Sequence, residues 1–346
     1  MSQMASGRKR LCYFDLISLF SCFCVLLVHF NAAVCGYDGG FIHIENSFLT
    51  NFLLNGRVYV GSLGVSLFFM LSGARLMYTY RGVKKFYLRR FQNIYPMFWM
   101  AYAVAFMADL LIFKGVGIAN PLKLIFTAMG VDGYLMSLGL LTTDFYKLGE
   151  WFLGAILALY LIFPLLHWGV EKKPVLTVVL ALALYALRVK QCHEITFYLR
   201  IPEMLFGMLF IKYDGEKHAK KLFCATAVLL PIAYFLSVKG VIAPLTLCIA
   251  LAMVIFCLFA VVPGASIKNK RVEQLLASGS NLTYPIFLVH HWLIARMMDG
   301  FSIDYMPRRT VLSLFVTYIV LTLILSYLLN LYSGKIQRWL AGWRKQ

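Results

Sequence analysis

Apolar stretches of about twenty residues recur along this 346-residue chain. That pattern limits what the chain can become. Twenty residues of α-helix rise ~30 Å, the thickness of a bilayer's hydrocarbon core. In lipid each backbone N–H and C=O must bond within the protein, so such runs fold as helices. Hydrophobic residues make up 61% of the chain and charged ones 14%, against ~25% charged in a soluble domain. A soluble core of this length cannot hide so much apolar surface. The length admits two soluble domains, yet no polar stretch is long enough to be one. The expected fold is all-α, a polytopic transmembrane helical bundle of about ten helices. One integral-membrane domain is expected over residues 1–346, with short tails at 1–12 and 333–346.

Helices are expected at 13–35, 58–80, 91–113, 149–169, 174–190, 197–212, 221–238, 241–262, 281–299 and 309–332. Segment 121–140 is apolar but broken by glycines and polar residues. It reads as an interfacial or re-entrant piece, or as part of a long external loop. The basic clusters set the orientation. With the N-terminus inside, the inner segments hold Arg8, Lys9 and Arg10, then Arg81–Arg90, Lys172 and Lys173, Lys212–Lys221, Lys268–Arg271 and Lys335–Lys345. That is a roughly two-to-one excess over the outer segments, so both termini are expected in the cytoplasm. The first apolar run follows Met1–Arg10 without a small-residue cleavage site. It reads as a transmembrane helix that is its own insertion signal.

The net charge of +18 is scattered between apolar runs and forms no single patch, so no nucleic-acid partner is expected. The eight cysteines lie mostly inside apolar runs and read as small packing residues. None has zinc-ligand spacing with histidines, and no metal is expected. Cys35 and Cys192 both fall in external segments, which leaves one disulfide open. No internal repeat is visible.

Ionisable groups inside lipid are costly, so each is a functional hypothesis. Three stand out: Asp15 near the inner end of the first segment, His29 in its outer third, and Arg75 near the inner end of the second. Asp15, Ser18, Cys22 and His29 stay within about 60° of one helical face. That stripe should point into the bundle. The first two segments run antiparallel, which puts Arg75 at the depth of Asp15 and Ser18. A buried charge without a partner costs several kcal/mol, so an Asp15–Arg75 ion pair is expected. His29 lies ~16 Å along the axis from Ser18, a spacing that suits a pore joining two sides of the membrane. Its imidazole is either a proton acceptor or a packed ring bonded to nearby backbone.

Five stretches, taken together, resemble the acyltransferase-3 family of membrane proteins, which includes polysaccharide O-acetyltransferases. They are Phe14-Asp15-Leu16-Ile17-Ser18 leading to Val28-His29; Gly64-Val65-Ser66-Leu67-Phe68-Phe69-Met70-Leu71-Ser72-Gly73; Phe86-Tyr87-Leu88-Arg89-Arg90-Phe91 running into Ile94-Tyr95-Pro96; Trp151-Phe152-Leu153 with Tyr160 and Pro164; and Ser280-Asn281-Leu282-Thr283-Tyr284 with Phe287-Leu288-Val289-His290. Their order and spacing extend over most of the chain. The resemblance implies ten helices, a cytoplasmic acyl-CoA donor (most simply acetyl-CoA), and a glycan or lipid-linked sugar as acceptor. It implies residence in the cell membrane and a catalytic role for His29. Three positions depart from the family pattern. Ser18 and Asn93 stand where members often carry Arg, and Ile156 where many carry Glu. Arg75 would then supply from the second helix the cation missing at Ser18, with Asp15 as its partner.

The remaining candidates follow from that frame. Lys84, Lys85, Arg89 and Arg90 suit the phosphates of coenzyme A, although a basic inner segment also serves topology. His290 matches the family position and is expected to face inward, with His291 turned away from it. Glu150 and Trp151 sit at the outer mouth, where they would meet a sugar. Ser72 and Gly73 are small enough to let the first two helices touch. Two other readings stand beside the enzyme: a transporter or flippase for a lipid-linked glycan, and an inactive relative acting as an assembly partner. The oligomeric state is not legible.

Overall fold

The structure, a computed structural model, describes residues 10–35, 59–113, 121–146, 151–261, 269–299 and 307–343. These form twelve α-helices and no strand. The helices are α1 (Cys12–Cys35), α2 (Val60–Thr79), α3 (Val83–Ala108), α4 (Leu124–Met129), α5 (Asp132–Ser137), α6 (Trp151–Lys172), α7 (Pro174–Arg188), α8 (Ile201–Lys212), α9 (Ala219–Val238), α10 (Pro244–Val261), α11 (Lys270–Met298) and α12 (Arg308–Trp343). A π-helical turn, Asp109–Phe113, extends α3.

Each of the ten expected segments is helical. Seven are long and apolar enough to cross a membrane: α1, α2, α3, α6, α9, α10 and α12. Helix α7 is apolar but has 15 residues, and α8 has 12, a rise of only ~18 Å. Helix α11 has 29 residues but carries polar groups along its length. The expected segment 121–140 becomes a 3-10 turn followed by α4 and α5, which are too short to cross. Gly130 ends α4 at φ 71°, in the left-handed region where a Cβ is strained.

Three boundaries differ from expectation for one reason, and the last is that α12 runs on to Trp343 through the stretch expected as a tail from 333. Helix α3 starts at Val83, not 91, so Lys84, Lys85, Arg89 and Arg90 lie on a helix and not in a loop. Helix α11 starts at Lys270, well before 281. Hydropathy marks where a helix enters lipid, whereas Lys, Arg and Leu continue it happily in water.

Contacts divide the chain into two compact units. The first holds α1 as far as Val28, α2 up to Arg81, and the chain from Leu159 to Asn281. Its core joins Tyr13, Phe14 and Ile17 of α1 to Leu67, Met70 and Leu71 of α2, Phe210 of α8, and Phe256 and Cys257 of α10. Glycines set the spacing of α2. A Cβ on Gly64 would lie 2.8 Å from the Ser21 carbonyl oxygen of α1, and one on Gly73 2.0 Å from the Met204 carbonyl oxygen of α8. Gly73 was expected against α1 and instead receives α8. Positions 64 and 73 are nine residues apart, about 180° around the helix, so they serve opposite partners. Gly207 of α8 answers from the other side, its Cβ position 1.8 Å from the Met70 carbonyl oxygen. Beside this crossing lies a fully buried ion pair, Arg200 Nη1 to Glu203 Oε1 at 3.0 Å. The same guanidinium sits 5.6 Å from the Phe69 ring centroid.

The second unit holds α1 from His29, α3 to α5, α6 as far as Ala158, α11 from Leu282, and α12. Phe30 stacks on Tyr318 at 5.7 Å, joining α1 to α12. The Tyr284 hydroxyl donates to the Ile94 carbonyl at 3.0 Å, joining α11 to α3. Tyr95 and Trp99 of α3 donate to the Met129 and Ala128 carbonyls at 3.2 and 2.8 Å, which caps the end of α4 with aromatic side chains. Gly154 of α6 approaches Tyr134 of α5, where a Cβ would meet the tyrosine's own at 2.3 Å.

Candidate active site

Within the first unit the polar stripe of α1 is buried as expected: Asp15 is 2% exposed, Ser18 0% and Cys22 7%. Asp15 stands in the first turn of α1, where the helix dipole favours a carboxylate. Arg75 Nη2 lies 3.7 Å from its Oδ1, so the expected pair is there, at long range. A nearer partner went unrecognised in the sequence. Arg10 grips the carboxylate with both arms, Nε to Oδ2 at 2.7 Å and Nη2 to Oδ1 at 2.8 Å. That planar, two-bond geometry is the strongest form of such a contact. The bond to Asp15 also pushes the Arg10 pKa upward. Arg75 is held in place by other groups. It donates to the Phe14 carbonyl and to the Ser280 hydroxyl, each at 3.1 Å, and sits 5.9 Å from the Phe14 ring centroid. One carboxylate thus faces two guanidiniums, which are 27% and 31% exposed. Both cations keep partial access to solvent, and Glu273 is a second acid whose charge acts on Arg10.

Within the second unit three imidazoles meet. The His29 ring centroid is 5.2 Å from that of His290 and 4.9 Å from that of His291. His291 was expected to turn away and instead packs edge-on against His29. Neighbours on a helix diverge by about 100°, and one imidazole inserted between them touches both. His290 is buried, and its Nδ1 lies 3.1 and 2.9 Å from the Ile286 and Phe287 carbonyl oxygens of its own helix. Carbonyl oxygens only accept, so Nδ1 carries a proton. His29 itself is half-buried.

The other candidates are more dispersed. Lys84, Lys85 and Arg89 are exposed on α3, and Arg90 is half-buried. Trp151 is half-buried and packs edge-on to Phe152 at 6.2 Å. Glu150 lies outside the described residues, as does the Cys35 side chain; Cys192 Sγ is 2.9 Å from the Tyr198 hydroxyl. Of the three departures from the family pattern, Ser18 and Ile156 are buried and Asn93 is exposed. One polar network was missed altogether. Asp109, 2% exposed, receives Tyr146, Trp292 and Arg296.

Seven helices able to span lipid, with charged and imidazole groups gathered inside, define a multi-pass membrane protein. The acyltransferase-3 family model, described as an acyltransferase domain, matches residues 12–331, and the chain belongs to that family. It is a membrane acyltransferase. No curated protein and no solved structure matches it. The matched span contains Asp15, Arg75 and the three histidines, and Arg10 stands just ahead of it.

Proposed function

We propose that this acyltransferase carries an acetyl group from cytoplasmic acetyl-CoA to a hydroxyl of a cell-envelope glycan or lipid-linked sugar, in the cell membrane, with both termini in the cytoplasm. His29 is the general base. Its imidazole takes the proton of the acceptor hydroxyl while that oxygen attacks the thioester carbonyl. A C–O bond forms, the C–S bond breaks, and the proton passes to the departing thiolate. The observation that carries this reading is the meeting of His29 of α1 with two further imidazoles of α11, 5.2 and 4.9 Å away. Such groups are retained in lipid where they serve a reaction or a pathway.

The two part-exposed guanidiniums beside Asp15 suit the anionic donor. Arg75, held by Phe14, Ser280 and Asp15, would attract coenzyme A phosphate. Lys84, Lys85, Arg89 and Arg90 would add further donor contacts. On the acceptor side the reading assigns His290, Trp151 and Glu150.

The test is thioester cleavage. Purified protein in nanodiscs, supplied with acetyl-CoA and envelope glycan, should release free thiol and leave an acetyl ester on the sugar. His29→Gln should lower kcat by ~10²–10⁴, the usual weight of a general base, with little change in donor KM. Wild-type activity retained in His29→Gln would overturn the assignment. An ester on another acceptor would correct the substrate class.

A further inference from the structure

The Asp109 network plays no part in the reaction drawn above, yet it gathers a phenol, an indole and a guanidinium on one buried carboxylate. Asp109 opens the π-helical turn at the end of α3, a local widening that is often found at functional positions. Tyr146 Oη donates to its Oδ2 at 2.6 Å. Trp292 Nε1 donates to Oδ1 at 3.0 Å, and Arg296 Nε lies 3.3 Å from the same oxygen. Arg296 continues outward to Asp299 at 2.5 Å. Burial first, and then the bond to Asp109, push the Tyr146 phenol well above its ordinary range, so it stays protonated and donates. One carboxylate therefore ties the end of α3 to the segment before α6 and to α11.

The tie has a direction. Trp292 and Arg296 are four residues apart and share a face of α11. His290 and His291 come immediately before them. Whatever fixes the rotation of α11 about its axis therefore fixes where the two imidazoles point. Side chains extend ~5–6 Å from a helix axis, so a ~20° rotation moves a ring by ~2 Å. A displacement of ~1 Å at a reacting group can cost ~10²-fold in rate. The bonds from His290 to its own helix cannot resist such a turn, because they rotate with it.

We propose that Asp109 is a positioning residue, clamping α11 through Trp292 and Arg296 so that His290 and His291 stay against His29. The proposal rests on the role of His29 given above. Its experiment has two arms. In the first, His29→Cys and His291→Cys are combined in nanodisc-held protein. They are joined by a short bifunctional thiosulfonate, and the linked peptides are quantified by mass spectrometry. Asp109→Ala added to that pair should lower the yield several-fold. In the second, Asp109→Ala in the otherwise unaltered chain should cut kcat by ~10-fold or more, with donor KM within ~2-fold. Asp109→Asn, which keeps an acceptor oxygen, should recover part of both. Should the alanine variant fail to accumulate, Tyr146→Phe removes a single bond and should weaken both readouts in the same direction. An undiminished cross-link with unchanged kcat overturns the clamp. A wild-type protein that cleaves no thioester overturns the acetyl-CoA reading instead, and the cross-link yield alone then decides the clamp.

Discussion

Two buried carboxylates, one in each unit, solve the same problem in opposite ways. Asp15 faces two guanidiniums. Asp109 faces one guanidinium, one phenol and one indole. The first arrangement sets two cations beside the carboxylate and leaves them about a third exposed. The second shares a single negative charge among a cation and two neutral donors, and the cation has a second acid of its own. Part-exposed guanidiniums at a shared carboxylate can also meet an anion. A carboxylate that accepts from a phenol and an indole on separate segments instead holds helices in register. Burial alone does not separate a binding cluster from a clamp; the kinds of donor do.

The largest break in that comparison is the loss of both cations around Asp15. Arg10→Ala with Arg75→Ala leaves a carboxylate 2% exposed without its ion partners. A stranded buried charge costs ~3–5 kcal/mol. The double variant should show a sharp fall in detergent-solubilised thermal stability and in membrane accumulation, and adding Asp15→Asn should restore much of it. A double variant as stable as wild type would mean that water reaches Asp15 freely. At the second carboxylate Asp109→Asn is the matching change. Trp292 and Tyr146 keep an acceptor there and Arg296 keeps Asp299, so the loss should be ~2 kcal/mol, the range for hydrogen bonds to a charged group. Thermal unfolding of the two variants side by side gives the order directly.

The two clusters were unequally legible in the sequence. Asp15, Arg75 and His29 stand inside long apolar runs, where a single charge is conspicuous, and their helical spacing puts them on a shared stripe. Arg10 was hidden in a terminal run of basic residues, where topology explains any one of them. Asp109 was hidden at the end of an apolar run, where an acid looks like a helix exit. Its partners lie 37 and 183 residues away, and no periodicity connects them. The membrane helices were readable because lipid admits so few backbone solutions. The early starts of α3 and α11 were not, because their first turns are polar helix and hydropathy registers only the apolar part. Gly64 and Gly73 were visible as small residues, while the identity of the helix each receives depends on which face it occupies.

The smallest expected change in stability is the one that tests most about function. Arg75→Ala removes a 3.7 Å contact but leaves Asp15 in the two-armed grip of Arg10. The fold should lose ~1 kcal/mol or less, the scale of a part-exposed pair. If Arg75 also receives the anionic donor, acetyl-CoA KM should rise by ~10-fold or more, since a charge-assisted contact to phosphate is worth about twice a neutral one. Ser18→Arg added to Arg75→Ala would restore a cation on α1 one turn from Asp15 and should bring the KM part of the way back. Restoration of the KM by Ser18→Arg would show that the cation's location, and not its helix of origin, is what the donor senses. Full activity in Arg75→Ala alone would assign donor binding elsewhere, and Arg75 would then be an anchor for Phe14 and Ser280 only.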